Sequence, residues 1–428
     1  MISPPCKRPS GYPRRWIILA LIFFGIVINY IDRGSLSIAA PSLMRDFRMS
    51  PATMGVVLSA FLWTYAISQF PAGTLVDRLG IRWSYAGGFL IWSMASASMA
   101  LCATTGQIIS SRLVLGLAES TAPMASVAFM RKNFAGEDQG LPMAIYIAGQ
   151  NVGPAIGALV GAILITRYGW RMMFAITGLV ALIWLPFWLI AVPADEKRPV
   201  RRVEKAAENV ATRRPWTWRM VLSDRTFWAM CFSILLSSYF WYFSLTWIPS
   251  YLILSRGFST LGMGKVLSIA LFTMAVVNIF AGSAVDRLAA RIGVFRARLW
   301  FGVVGYFGTA AILLLVIVPG RSWVLPILTF SMCATGIGNT NFWTISEHAS
   351  PKDMVARIIG FLNTISVVGG IAAPIITGWL IGPKMHFGPA IFVAGLCAAV
   401  AGACLLAAGS QGLGRIKALL AGESYVEA

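Results

Sequence analysis

Four ionisable residues stand inside stretches that are otherwise apolar: Asp32, Arg33, Arg112 and Glu119. Holding a lone charge in hydrocarbon costs about 2.5–3.5 kcal/mol on insertion scales, so each must face a partner or a polar chamber. Arg112 and Glu119 are seven residues apart, two helical turns, and so lie on nearly one face of a helix. Carboxylates in such a setting can bind protons, because protonation removes a charge that low dielectric penalises. A guanidinium beside them can exchange one carboxylate partner for another, including that of an anionic guest. On this reading Asp32 and Glu119 carry protons, and Arg33 or Arg112 trades partners. The alternative is a fixed Asp32–Arg112 or Glu119–Arg33 pair that merely ties helices together, a task for which one pair suffices.

The elements that must position these groups follow from composition. The 428 residues are 57% hydrophobic and 12% charged, half the charge density of a soluble domain. About twenty apolar residues are needed to cross a bilayer core. Segments of that size begin near Trp16, Ala52, Arg82, Gln107, Leu141 and Arg171, and again near Phe227, Gly262, Arg296, Ser322, Met354 and Gly388. The expected fold is therefore an all-α polytopic membrane protein with twelve transmembrane helices in two pseudo-symmetric six-helix bundles. Residues 1–192 form the first bundle, 193–226 a polar linker with a short surface helix around Val203 to Val210, and 227–428 the second bundle. The first segment runs from Trp16 to about Ala40 without a small-residue cleavage site, which makes it a retained helix and not a signal peptide.

The net charge of +19 is a matter of topology and not of nucleic-acid binding, because the basic residues avoid the apolar runs. One set of alternate loops carries 25 Lys and Arg and the other 8. That bias places both termini and the linker in the cytoplasm. With this orientation Asp32 lies about 24 Å along the first helix, roughly 6 Å from the outer edge, and Arg112 lies about 7–8 Å below the same edge. Glu119, two turns deeper, falls near the midplane. The second half has no comparable charge; Glu347 and His348 fit a cytoplasmic cap at the end of the tenth helix.

The halves repeat. Gly73-Thr74-Leu75-Val76-Asp77-Arg78 leaves the second segment, and Gly282-Ser283-Ala284-Val285-Asp286-Arg287 leaves the eighth, 209 residues later. Duplicated halves with a midplane site between them are common in secondary transporters. The stretch GTLVDRLGIRWSY, Gly73 to Tyr85, resembles the loop signature between the second and third helices of the major facilitator superfamily. Asn29-Tyr30-Ile31-Asp32-Arg33 resembles its anion:cation symporter branch, which includes bacterial galactonate, glucarate and hexuronate transporters and animal sialic-acid and vesicular glutamate carriers. The resemblance implies proton-coupled uptake of an organic anion by rocking of two bundles. It also implies a conformational latch at Gly73, Asp77 and Arg78, echoed by Asp286 and Arg287, that secures the outward-open state.

Polar groups near one level could hold the anion. Tyr65 is about 20 Å into the second helix from outside; Gln150 and Asn363 are about 14 Å into the fifth and eleventh from inside. By the resemblance, Tyr30, Tyr65, Gln150 and Asn363 match positions used for substrate hydrogen bonds, and Trp343 matches a family aromatic; Asn341 adds an amide beside it. For each amide or phenol, a hydrogen bond to a neighbouring helix is the plainer alternative. Tyr239, Trp241, Tyr242 and Trp247 could form an outer gate or pack against lipid. Gly149, Gly153, Gly157 and Gly161 make a stripe along which a neighbouring helix could approach and slide.

The expected cargo is a sugar acid (aldonate, aldarate or hexuronate), with aromatic acids or short dicarboxylates as the second choice. Efflux would need a lone acid attracting cations, and a sensor would need an attached signalling domain. No enzymatic motif of the H-E-x-x-H, G-x-S-x-G or phosphate-loop kind is present. The six cysteines show no C-x-x-C spacing, so neither metal nor disulfide framework is expected. No cofactor is expected. The expected partners are the anion, protons and the bilayer of a bacterial inner membrane, around a monomer.

Overall fold

The computed structural model describes residues 12–134, 140–193, 218–350 and 354–420, with side chains placed from Arg14 to Gly409 within those limits. The surface helix expected around Val203 to Val210 lies outside the described residues. The chain is helical throughout what is described: α1 Tyr12–Asp46, α2 Pro51–Ser98, α3 Thr105–Glu119, α4 Thr121–Asn133, α5 Gly140–Ala181, α6 Trp184–Ala191, α7 Trp218–Leu222, α8 Arg225–Leu254, α9 Thr260–Ile292, α10 Val294–Thr309, α11 Leu314–Ile317, α12 Val324–Ala349, α13 Val355–Ile381 and α14 Gly388–Leu420.

Two of these helices are too long for one crossing, and each turns back on itself. In α2 the reversal is at Gly80, with φ 80° and ψ 164°, a conformation that a side chain would strain. Beyond it the Ser84 hydroxyl donates to the Leu75 carbonyl at 3.3 Å, nine residues back, which a straight helix could not allow. In α5 the equivalent point is Gly169, with φ 81°. Nine helices among the described residues are long and apolar enough to span a membrane, the two folded ones included. Counting their legs separately and adding α12, whose 26 residues are long enough but carry several polar groups, gives helical length for the twelve expected crossings.

The repeat extends beyond the motif that announced it. Ser50 and Ser259, 209 residues apart, cap α2 and α9 in the same way, each hydroxyl accepting from the backbone N–H three residues on. The reversals at Gly80 and Gly169 are matched 213 residues later by Gly293 and Gly382, both again at positive φ.

Three apolar clusters organise the molecule. One is built almost wholly from residues 18–192, another wholly from residues 221–408, and both lie toward the end that carries the basic loops. The third draws on both halves, from Leu36 to Phe174 and from Tyr239 to Ala398, and occupies the far end. Among the described residues the largest shared packing between the halves is at that far end. Close approach there depends on bare backbone: a Cβ on Gly55 would sit 2.4 Å from the Pro374 carbonyl oxygen, and one on Gly378 would sit 2.3 Å from that of Pro51. Gly264 meets Ala158 and Ala162 in the same fashion. Toward the basic end Phe70 and Phe280 are 87% and 70% exposed.

Candidate functional site

The four intramembrane charges converge between α1, the second leg of α2, and α3. Packing within the first half fixes their helices. The stripe on α5 lies against α1, with Gly149 on Phe23, Gly153 on Val27 and Tyr30, and Gly157 on Ile31. It holds α1 in place within one half and is not a sliding surface between halves; that role falls to Gly264 against Ala158 and Ala162. Gly116 brings α3 against the Phe61 carbonyl, and the Thr64 hydroxyl donates to the Leu113 carbonyl at 2.7 Å. These contacts set Phe61 and Tyr65 opposite Glu119.

The charges form two tiers. In the lower, Arg33 Nε donates to Glu119 Oε2 at 2.7 Å. The Arg33 guanidinium lies 4.5, 4.8 and 4.9 Å from the ring centres of Tyr65, Tyr30 and Phe61. Such cation–π contacts contribute about 2 kcal/mol or more where water is excluded. In the upper tier the Ser96 hydroxyl donates to Asp32 Oδ1 at 3.0 Å, and Ser111 donates to the adjacent Ala95 carbonyl at 2.7 Å. This ladder puts Asp32 and Arg112 at one level, as the depth count expects, although α1 runs past Ala40 to Asp46. Arg112 interacts electrostatically with both Asp32 and Glu119, yet its Nε and Nη2 have no hydrogen-bond partner. Asp32 Oδ2 is likewise buried without one, whereas Asn29 lies within hydrogen-bonding reach of Glu119. A buried donor or acceptor without a partner is costly, so these groups gain from any rearrangement that supplies one.

Exposure separates the two arginines. The Arg33 side chain is 18% exposed while Glu119 is fully buried, and Arg112 as a residue is 2% exposed. Of the two, Arg33 keeps the greater exposure, and Tyr242 of the other half lies within its electrostatic range.

The uncharged candidates divide. Tyr30 and Tyr65 form the walls around Arg33, and Tyr242 of α8 reaches them from the other half, within electrostatic range of Arg33 and Tyr65. Asn363 and Gln69 meet across the halves at 3.5 Å, the limit of a hydrogen bond. Gln150 is half-buried on α5, one residue from the α1 contact. Asn341 turns away: it is 3% exposed, donates to the Ile337 carbonyl of its own helix and packs toward Gly302 of α10. It therefore belongs to the interior of the second half and not to a cavity wall. Trp343 sits edge-on to Phe342 against the second half's own cluster. Tyr239 and Trp247 are buried in the far-end cluster and do not face lipid; Trp247 Nε1 donates to the Pro374 carbonyl at 3.0 Å. His348 bonds back to the Thr344 carbonyl, within α12.

The repeated loop motifs are apart. Asp77 and Arg78 are exposed and make no ion pair among the described residues, whereas Asp286 pairs with Arg298 at 3.0 Å. Among the described residues there is no group of three or more His, Cys, Asp or Glu that could hold a metal ion.

Residue-level reasoning overlooked Asn29, Phe61, Gln69 and Ser96. Asn29 stands one turn before Asp32 and could have been found by that spacing. Ser96 is one of many serines in apolar segments, and nothing in its surroundings in the sequence distinguishes it.

Comparison with known proteins agrees with this architecture. The Major Facilitator Superfamily profile matches residues 22–374. A hexuronate transporter of Bacillus subtilis (strain 168) is 26% identical over 88% of this chain and 90% of the relative. A probable galactarate/D-glucarate transporter of Escherichia coli (strain K12) is 26% identical over 94% and 96%, and a probable L-galactonate transporter of the same strain is 27% identical over 90% and 87%. The crystal structure of a bacterial homologue of the human lysosomal transporter Spinster, in an inward-facing and unoccupied conformation, superposes with a TM-score of 0.74 at 16% identity, over 94% of this chain and 98% of that one. With its repeated halves, its membrane-spanning helices and a profile match over most of its length, this chain belongs to the major facilitator superfamily and is a transporter, not an enzyme.

Proposed function

We propose that this chain is a proton-coupled symporter that takes up a sugar acid (an aldonate, aldarate or hexuronate) by alternating access. The observation that carries the reading is Arg33: a guanidinium held by the buried Glu119, walled by aromatic rings and partly exposed. The names of the sugar-acid relatives support the substrate class. A carboxylate entering between the halves competes with Glu119 for Arg33, and Glu119 then takes a proton in place of its partner. Asp32 and Arg112 form the second tier, in which loss or gain of a proton at Asp32 is felt by Arg112 and through it by Glu119. Tyr30, Tyr65, Gln150 and Asn363 offer hydrogen bonds to the hydroxyls.

Residues 1–192 and 227–428 act as the two moving bodies, and residues 193–226 tether them. The bias of basic residues supports a bacterial inner-membrane protein with cytoplasmic termini. Shared packing concentrated at the far end then supports an inward-open state, in which the Asp77–Arg78 and Asp286–Arg287 latch is released. The aromatic walls also suit a planar carboxylate, so an aromatic acid is the second reading.

Purified protein in proteoliposomes tests both. Labelled galactonate, glucarate or glucuronate should accumulate only with an inward proton gradient and be lost on adding an uncoupler. Accumulation that survives the uncoupler removes symport, and uptake of benzoate alone would replace sugar acids with aromatic acids.

A further inference from the structure

A groove of about 910 Å³ runs along the outside of the second half between α9, α10 and α12. Its floor is where Gly305 and Gly308 bring α10 close to α12 at Ala334. Its walls include Trp300, Val304 and Phe330, which are 52%, 65% and 58% exposed. In a membrane-spanning chain such exposure faces lipid, and a channel so apolar holds hydrocarbon and not water.

The groove's lining reaches Leu288 and Trp300 toward the basic end, and there its chemistry changes. Arg296 stands one turn before Trp300 on the same face of α10, and Arg291 follows the lining residue Leu288 by one turn on α9. Both arginines are exposed, and neither is in an ion pair with a described residue. The Arg298–Asp286 pair ties the ends of α9 and α10 together at 3.0 Å, and so keeps the two helix segments that carry Arg291 and Arg296 adjacent. Trp300 is placed where indole rings favour the boundary between headgroup and acyl chain.

We propose that this groove is a binding site for an anionic phospholipid, with an acyl chain lying along α10 and the phosphate between Arg291 and Arg296. A zwitterionic lipid fills the groove equally well but offers the two cations no net charge. The site therefore selects by headgroup and holds by chain. A seated lipid braces α9 against α10 at the point where the second copy of the repeated motif leaves the membrane.

Native mass spectrometry of the full-length protein in detergent, with phosphatidylglycerol and phosphatidylcholine of matched chains, tests this. Two basic residues at the membrane surface predict about a 30-fold preference for phosphatidylglycerol. The R291Q/R296Q variant should lose that preference, R291K/R296K should keep it, and V304W should weaken retention of both lipids. Raising the salt should erase the preference in the unaltered protein, so the test stands even if a variant fails to fold. Equal retention of the two lipids, a preference that survives R291Q/R296Q or high salt, or displacement of the lipid by glycerol 3-phosphate at equal concentration would overturn the proposal.

Discussion

The two halves share a plan and differ in what they bury. The first holds Asp32, Arg112 and Glu119 with almost no exposure, and Arg33 with little. The second, built on the same repeat, buries Asn341, Thr309, Thr335 and Ser237 but, among the described residues, no charged one. Duplication supplied two equivalent scaffolds, and only one acquired groups that change charge. Under the proposed function this becomes a division of labour: one half would report protonation, and the other would supply amides and phenols such as Asn363 and Tyr242 that read shape. Because the halves meet through a shared far-end cluster, a change of charge in one can be felt as a change of packing against the other.

The largest effect should come from breaking the charged tier. Arg33→Ala leaves the Glu119 carboxylate buried without its partner, a loss of about 3–5 kcal/mol for a buried pair. Uptake should fall by about 100-fold or more, with a lower melting temperature by scanning fluorimetry. Near-normal uptake would remove Arg33 as the anion's contact. Next, Glu119→Gln keeps a neutral group of the same shape beside Arg33. Gradient-driven accumulation should collapse while exchange of internal for external substrate stays within about threefold, consistent with the size of a single neutral hydrogen bond. Wild-type gradient dependence in that variant would move coupling elsewhere. The smallest effect belongs to the uncharged half: Asn363→Ala should raise KM about fivefold, the worth of about 1 kcal/mol, with the proton dependence unchanged. A shift in proton dependence on that substitution would erase the proposed division between the halves.

Much of this was legible in the sequence because lipid enforces it. A charge in an apolar run must have a reason, so Asp32, Arg33, Arg112 and Glu119 stood out, and the structure brings all four together. The G-x-x-x-D-R echo gave the repeat, and apolar length gave the crossings. Rotation about the helix axis was harder to read. Asn341 is as polar as Asn363, yet it turns toward α10, because a single residue in a helix hydrophobic on most sides has no periodic signal to orient it. The glycine stripe on α5 was visible, but a close-packing surface does not name its neighbour. Its partner is α1, inside the same half, and it serves to hold Tyr30 and Arg33 in position.

The seam at the far end has a consequence for kinetics. Where Gly55 and Gly378 rest on the carbonyls of Pro374 and Pro51, backbone meets backbone within the shared apolar cluster. At such points neither surface has a side-chain tip that can swing aside, so anything added to one backbone must displace the other. Turnover speed is then adjustable by the smallest chemical increment available to a protein: a methyl group placed on either glycine would wedge the seam and slow or bias the cycle without touching the chamber where the anion sits.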